Sequence, residues 1–93
     1  MDPVEIADAY VVKADALATS KKYEEAIRIY DAAIEVCPEC IEAWTGKAAI
    51  LKTLGRLQEA LECVEGVLEI SPSPVAEMLR NNLVEELKRK GVL

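Results

Sequence analysis

The chain has no histidine and no phenylalanine, only one tryptophan and three tyrosines, and only four glycines and four prolines among its 93 residues. Without histidine it lacks the side chain that most often serves as a general base near neutral pH, and the commonest nitrogen ligand for zinc. It contains no glycine-rich phosphate loop and no nucleophile elbow, so it is expected not to be an enzyme and to need no cofactor. No apolar stretch approaches the roughly 18 residues that span a bilayer, and Met1-Asp2-Pro3-Val4-Glu5 is acidic, unlike a secretory leader. A cytoplasmic location with reduced thiols is therefore expected. Basic residues are also scarce, 11 Lys and Arg against 17 Asp and Glu, for a net charge of −6. That balance repels a phosphate backbone and argues against nucleic acid as a partner. The single basic cluster, Lys88-Arg89-Lys90, suits the last turn of a helix, where the macrodipole favours cations, and is too small for a membrane patch.

What the chain does have is aliphatic material, with 52% of its residues hydrophobic. The length suits one domain, spanning 1–93, whose fold buries roughly 60–65% of the unfolded surface. With so few aromatics the core must come from Ala, Leu, Ile and Val. Long β-branched runs are absent, and the composition points to an all-α protein.

Apolar periodicity and terminal signals place five helices. Val4, Ala7, Tyr10, Val11, Ala14, Leu17 and Ala18 recur at steps of three and four, after an Asp2 cap and Pro3 at the first helical position. This first helix runs to about Ser20. The second spans about Tyr23 to Val36, and Pro38 stops it. The third starts near Glu39 or Cys40 and ends before Gly55, a residue suited to a left-handed cap. The fourth runs from about Leu57 to Ile70. Ser73 and Pro74 open a fifth, which runs to about Lys90 before Gly91. The connections are short, so successive helices are antiparallel neighbours.

Sliding the chain by 34 residues lays 7–40 over 41–74. Nine pairs are identical: Ala9/Ala43, Lys13/Lys47, Ala14/Ala48, Leu17/Leu51, Thr19/Thr53, Glu25/Glu59, Ala26/Ala60, Glu35/Glu69 and Pro38/Pro72. The second copy reads Trp44-x2-Lys47-Ala48-x2-Leu51, then Ala60-x3-Val64, then Pro72. The first reads Tyr10-x2-Lys13-Ala14-x2-Leu17, then Ala26-x3-Tyr30, then Pro38. This helix–turn–helix period and motif resemble the tetratricopeptide repeat (TPR) family. Lys13 and Lys47 stand where the family has Leu, and Ala14 and Ala48 where it has Gly. The resemblance implies antiparallel helix-turn-helix repeats in a solenoid fragment, with repeat 1 over 3–38, repeat 2 over 39–72 and a capping helix over 73–91 that continues the same register.

The resemblance also implies a function: protein–protein interaction, as an adaptor or assembly module. In this family the first helix of each repeat lines a concave face that commonly holds a peptide or helix. Carried over by register, that face takes Val11, Val12 and Asp15, then Thr45, Ala49 and Lys52, then Leu79, Arg80 and Leu83. The alternative for these positions is ordinary surface and inter-helix packing. A carboxylate clamp of the family's chaperone-binding kind is not expected, because Val11, Asp15, Gly46, Ala76 and Arg80 occupy its positions and only Arg80 matches. The stripe Leu79, Leu83 and Leu87 is rotated toward the groove, which suits either a partner, including a second copy of the chain, or contact with the third helix.

Cys37 and Cys40 carry the competing chemistry. Their C-x-x-C spacing is that of a thiol redox pair or half a metal site. Zinc wants four ligands, the chain has no histidine, and the βαβ context of thioredoxin-like proteins is missing. The structural reading is that Cys37-Pro38-Glu39-Cys40 is the joint between repeats, Trp44 anchors the next helix, and Cys63 is a buried apolar residue.

Overall fold

A computed structural model describes residues 2–93. The helices are α1 Pro3–Thr19, α2 Tyr23–Val36, α3 Ile41–Thr53, α4 Leu57–Ile70 and α5 Pro74–Arg89. Their ends follow from local chemistry. The Asp2 carboxylate accepts from the Val4 amide at 2.9 Å, and the Ser73 hydroxyl accepts from the Ala76 amide at 3.2 Å. Each supplies one partner for the amides that a helix start leaves unpaired. Pro3 and Pro74 follow these caps at the first helical position, where no amide hydrogen is needed.

Three helices end in the same way. The amides of Lys22, Arg56 and Val92 return to the carbonyls of Leu17, Leu51 and Leu87 at 2.9, 2.8 and 3.0 Å. In each case the preceding residue has positive φ: Lys21 at 63°, Gly55 at 80° and Gly91 at 77°. This is the Schellman closure, which satisfies carbonyls of the last turn. Two of the three positions carry glycine, and Lys21 makes the turn with a side chain.

The helices pack pairwise in chain order, α1 on α2, α2 on α3, α3 on α4 and α4 on α5, and α1 also touches α3. The stack is elongated, 45 × 29 × 17 Å. Alanines occupy the close crossings, since Ala7, Ala14, Ala26, Ala33, Ala43, Ala48, Ala60 and Ala76 are all fully buried. Leu51, Leu83, Val64 and Val67 are the largest fully buried side chains, and among the described residues no charged side chain is buried. Trp44 stays half-buried against this core and donates its indole N–H to the Pro38 carbonyl at 2.8 Å, tying α3 to the joint before it. The Lys47 stem covers apolar surface while its ammonium reaches the Asp31 carboxylate on α2 at 2.6 Å.

The joints differ in length, and this corrects the register expected for α5. Four residues, 37–40, separate α2 from α3, but only three, 71–73, separate α4 from α5. The third helix accordingly begins at Ile41, beyond the Glu39 or Cys40 start expected from sequence, because the Cys40 amide closes a turn on the Cys37 carbonyl at 3.1 Å. The fifth helix enters one residue early. One residue is about 100° of helix rotation, so α5 matches α3 at a spacing of 33. Ala43 corresponds to Ala76 and Ile50 to Leu83, and all four are buried.

Candidate functional site

Every element of the expected concave face can now be placed. On α1, Val11 is half-buried against the core, Val12 is 69% exposed and Asp15 is exposed. On α3, Ala49 is exposed while Thr45 and Lys52 are half-buried. The Thr45 hydroxyl donates back to the Ile41 and Glu42 carbonyls at 3.1 and 3.2 Å, so its hydrogen is spent within the helix.

On α5 the shorter joint changes the assignment. Leu83 is 0% exposed and belongs to the core, so it cannot touch a partner as expected. Leu79 is half-buried against that core. Arg80 lines a cleft on α4 with Glu65, Leu68 and Glu69, of about 390 Å³. By register Arg80 answers to Lys47, and Glu65 to Asp31. The rotation of the Leu79, Leu83, Leu87 stripe seen in the sequence is real, but it points to α4. The stripe therefore gives no argument for self-association. The residues that answer to Glu42, Thr45 and Ala49 are Val75, Met78 and Asn82. All three are exposed, Val75 at 68% and Met78 at 67%. An apolar side chain that far exposed at two positions one turn apart is the signal the sequence reading missed.

A second missed feature lies under the same face. Tyr30, on α2, is only 2% exposed, yet its hydroxyl donates to the Asp15 carboxylate on α1. Its ring passes over Gly46 of α3. A Cβ built on Gly46 falls 2.5 Å from Tyr30 Cζ and 2.6 Å from Cε1, closer than real atoms approach. Gly46 is thus the gap through which a tyrosine from the second helical layer reaches a carboxylate on the first. At the next interface the equivalent positions exchange size, with Leu79 for Gly46 and Val64 for Tyr30. The larger side chain there stands on the first-layer helix instead of the second.

Burial first, then the hydrogen bond to Asp15 and its negative charge, hold the Tyr30 hydroxyl protonated well above its ordinary value of 10.0. Folded and unfolded chains both keep this proton below pH 10, so the contribution is intact there. Above it the unfolded chain releases the proton while the folded one holds it, and stability falls as pH rises. Melting temperature should therefore drop more steeply above about pH 10 in the parent than in Tyr30→Phe. Equal slopes in a pH series of thermal melts would contradict this.

The expectation of reduced thiols is also corrected. Cys37 and Cys40 are joined in a disulfide, with Cα atoms 5.5 Å apart, and Cys63 is free and buried, its thiol pushed up chiefly by burial. In that state neither Cys37 nor Cys40 offers a thiolate to a metal. Among the described residues no group of three or more His, Cys, Asp or Glu is arranged to hold one.

Stacked antiparallel hairpins with small residues at the crossings and one open face define a helical-repeat protein. Models of the tetratricopeptide repeat match residues 7–50 and 41–74, and the chain belongs to that family. No curated protein matches it. Repeats of this family are generally protein–protein interaction modules and typically non-catalytic, and no helix among the described residues is long and apolar enough to cross a membrane.

Proposed function

We propose that the chain is an adaptor or assembly module that holds a peptide or helix of a protein partner on the face formed by α1, α3 and α5. We read 3–38 and 39–72 as its two repeats and 73–91 as the cap. The observation that carries this is the exposed apolar trio Val12, Val75 and Met78. The two on α5 stand at the register of α3 residues that the family uses for contact. Val11, Asp15, Thr45, Ala49 and Lys52 complete the surface, with Asp8 and Glu42 adding negative charge beside it. Such a face suits an amphipathic segment with a few basic residues, laid in as a helix or extended strand. Leu79 and Arg80 flank it from the α4 side, and Leu83 is no longer part of it. A cytoplasmic setting, no catalysis and no resident cofactor go with this reading.

The test is affinity capture from the native host with the parent chain and with a Val75→Asp, Met78→Asp double variant. The variant should keep the parent's helicity, and its unfolding free energy within about 0.5 kcal/mol per substitution, since both sites are exposed, and lose the specifically captured protein. A partner retained equally by both would overturn the assignment of this face.

A further inference from the structure

Five helices of this family need no sulfur at their joints, and the α4–α5 joint makes its turn with Ser71, Pro72 and Ser73. The α2–α3 joint carries a cystine as well. Its two sulfurs are not alike. Cys37 caps the end of α2, is 5% exposed and sits in the core cluster. Cys40 is the N-cap of α3, half-exposed, and makes no capping bond with its side chain. The Glu39 carboxylate lies 3.6 Å from the Cys37 sulfur. We propose that Cys37 and Cys40 form a reversible dithiol–disulfide site, which exchanges with small or protein dithiols through Cys40 and is distinct from the partner-binding face.

The asymmetry sets the order of events. An incoming thiolate meets the accessible Cys40 sulfur and forms a mixed disulfide with it. The Cys37–Cys40 bond breaks, its electron pair goes to Cys37, and Cys37 takes up a proton. Glu39 is placed to accept the resulting S–H as a hydrogen bond, which keeps Cys37 a thiol. The second thiolate of the incoming dithiol then attacks its own sulfur in the mixed disulfide. Cys40 is released as a thiolate at the positive end of α3, which favours that charge. The dithiol loses two electrons and two protons, and the cystine gains them once Cys40 is protonated. Opening the bond leaves the joint tied, because Pro38 still accepts the Trp44 indole N–H. The site can therefore cycle without unfolding the stack. Reversibility also reconciles a cystine with the reducing interior proposed above, where disulfides are ordinarily transient.

The folded full chain is equilibrated across a range of reduced-to-oxidised dithiothreitol ratios, quenched in acid, unfolded, alkylated and weighed. The expected result is one adduct per chain at the oxidising end, from Cys63, and three at the reducing end. The midpoint should be the same from either direction, and Cys63→Ser should shift the count to none and two. The single tryptophan supplies a second reading: Trp44 emission should change at that same midpoint and be flat in Cys40→Ser. Three adducts at every ratio, one at every ratio, disulfide-linked dimers, or an emission change that survives Cys40→Ser would each overturn the proposal. None of these outcomes bears on partner capture through Val75 and Met78.

Discussion

Replacing Gly46 with alanine should lower stability by about 2 kcal/mol, although an alanine in a helix interior ordinarily gains up to about 1 kcal/mol over glycine. The new methyl would stand 2.5 Å from the Tyr30 ring, and that ring is 2% exposed, with no solvent to swing into. Overpacking of this kind costs about 1–3 kcal/mol. Displacing the ring also weakens the hydrogen bond to Asp15, a charge-assisted bond worth about 1.5–3 kcal/mol. For a chain of this size the melting temperature should fall by roughly 8–16 °C. Tyr30→Phe in the same background should restore only part of it, because it removes the hydroxyl 2.7 Å from the new methyl but leaves the ring carbons at 2.5 and 2.6 Å. Gly46→Leu with Tyr30→Val should recover much of the loss, since that pair copies Leu79 and Val64 one interface along. A melting temperature raised by Gly46→Ala alone would show that Tyr30 does not occupy this gap.

Leu83 and Met78 should respond in opposite ways. Leu83→Ala removes a fully buried side chain between α5 and α4 and is expected to cost about 2–5 kcal/mol, the range for Leu in a core that relaxes only in part. Urea unfolding should show it as a lower midpoint with a similar slope. Met78→Asp, on the exposed side of the same helix, should change stability by no more than about 0.5 kcal/mol. If α5 kept the register of the first two repeats, Leu83 would face the groove and Met78 would sit against the core, so the two variants would trade places.

Much of this fold was legible because its determinants are local. Tyr23–Val36 and Leu57–Ile70 are bounded by turn residues and a following Pro or Ser-Pro, and their limits agree with the sequence reading. The period of 34 located the hairpins because the alanines at close crossings recur with it. The face of α5 was misread for an equally local reason. One residue fewer in the joint turns the whole helix, and a fixed period carried through Ser71–Ser73 hides that step. Ser73 and Pro74, already recognisable as a helix start, held the correction. The tie from Tyr30 to Asp15 was not legible, since it joins residues 15 apart on different helices and leaves no periodic trace. Its one signal was a glycine in mid-helix at Gly46. The cystine was visible only as spacing, because C-x-x-C does not say whether the two sulfurs meet.

The proposed partner face depends on which side of α5 faces out. Methyl-resolved NMR of the intact chain with a soluble paramagnetic chelate measures this directly. The Val12, Val75 and Met78 methyls should relax strongly as chelate is added, while those of Leu83 and Leu87 stay protected. Leu83 methyls that relaxed as fast as Met78 would place the groove on the other face of α5 and contradict the site proposed here.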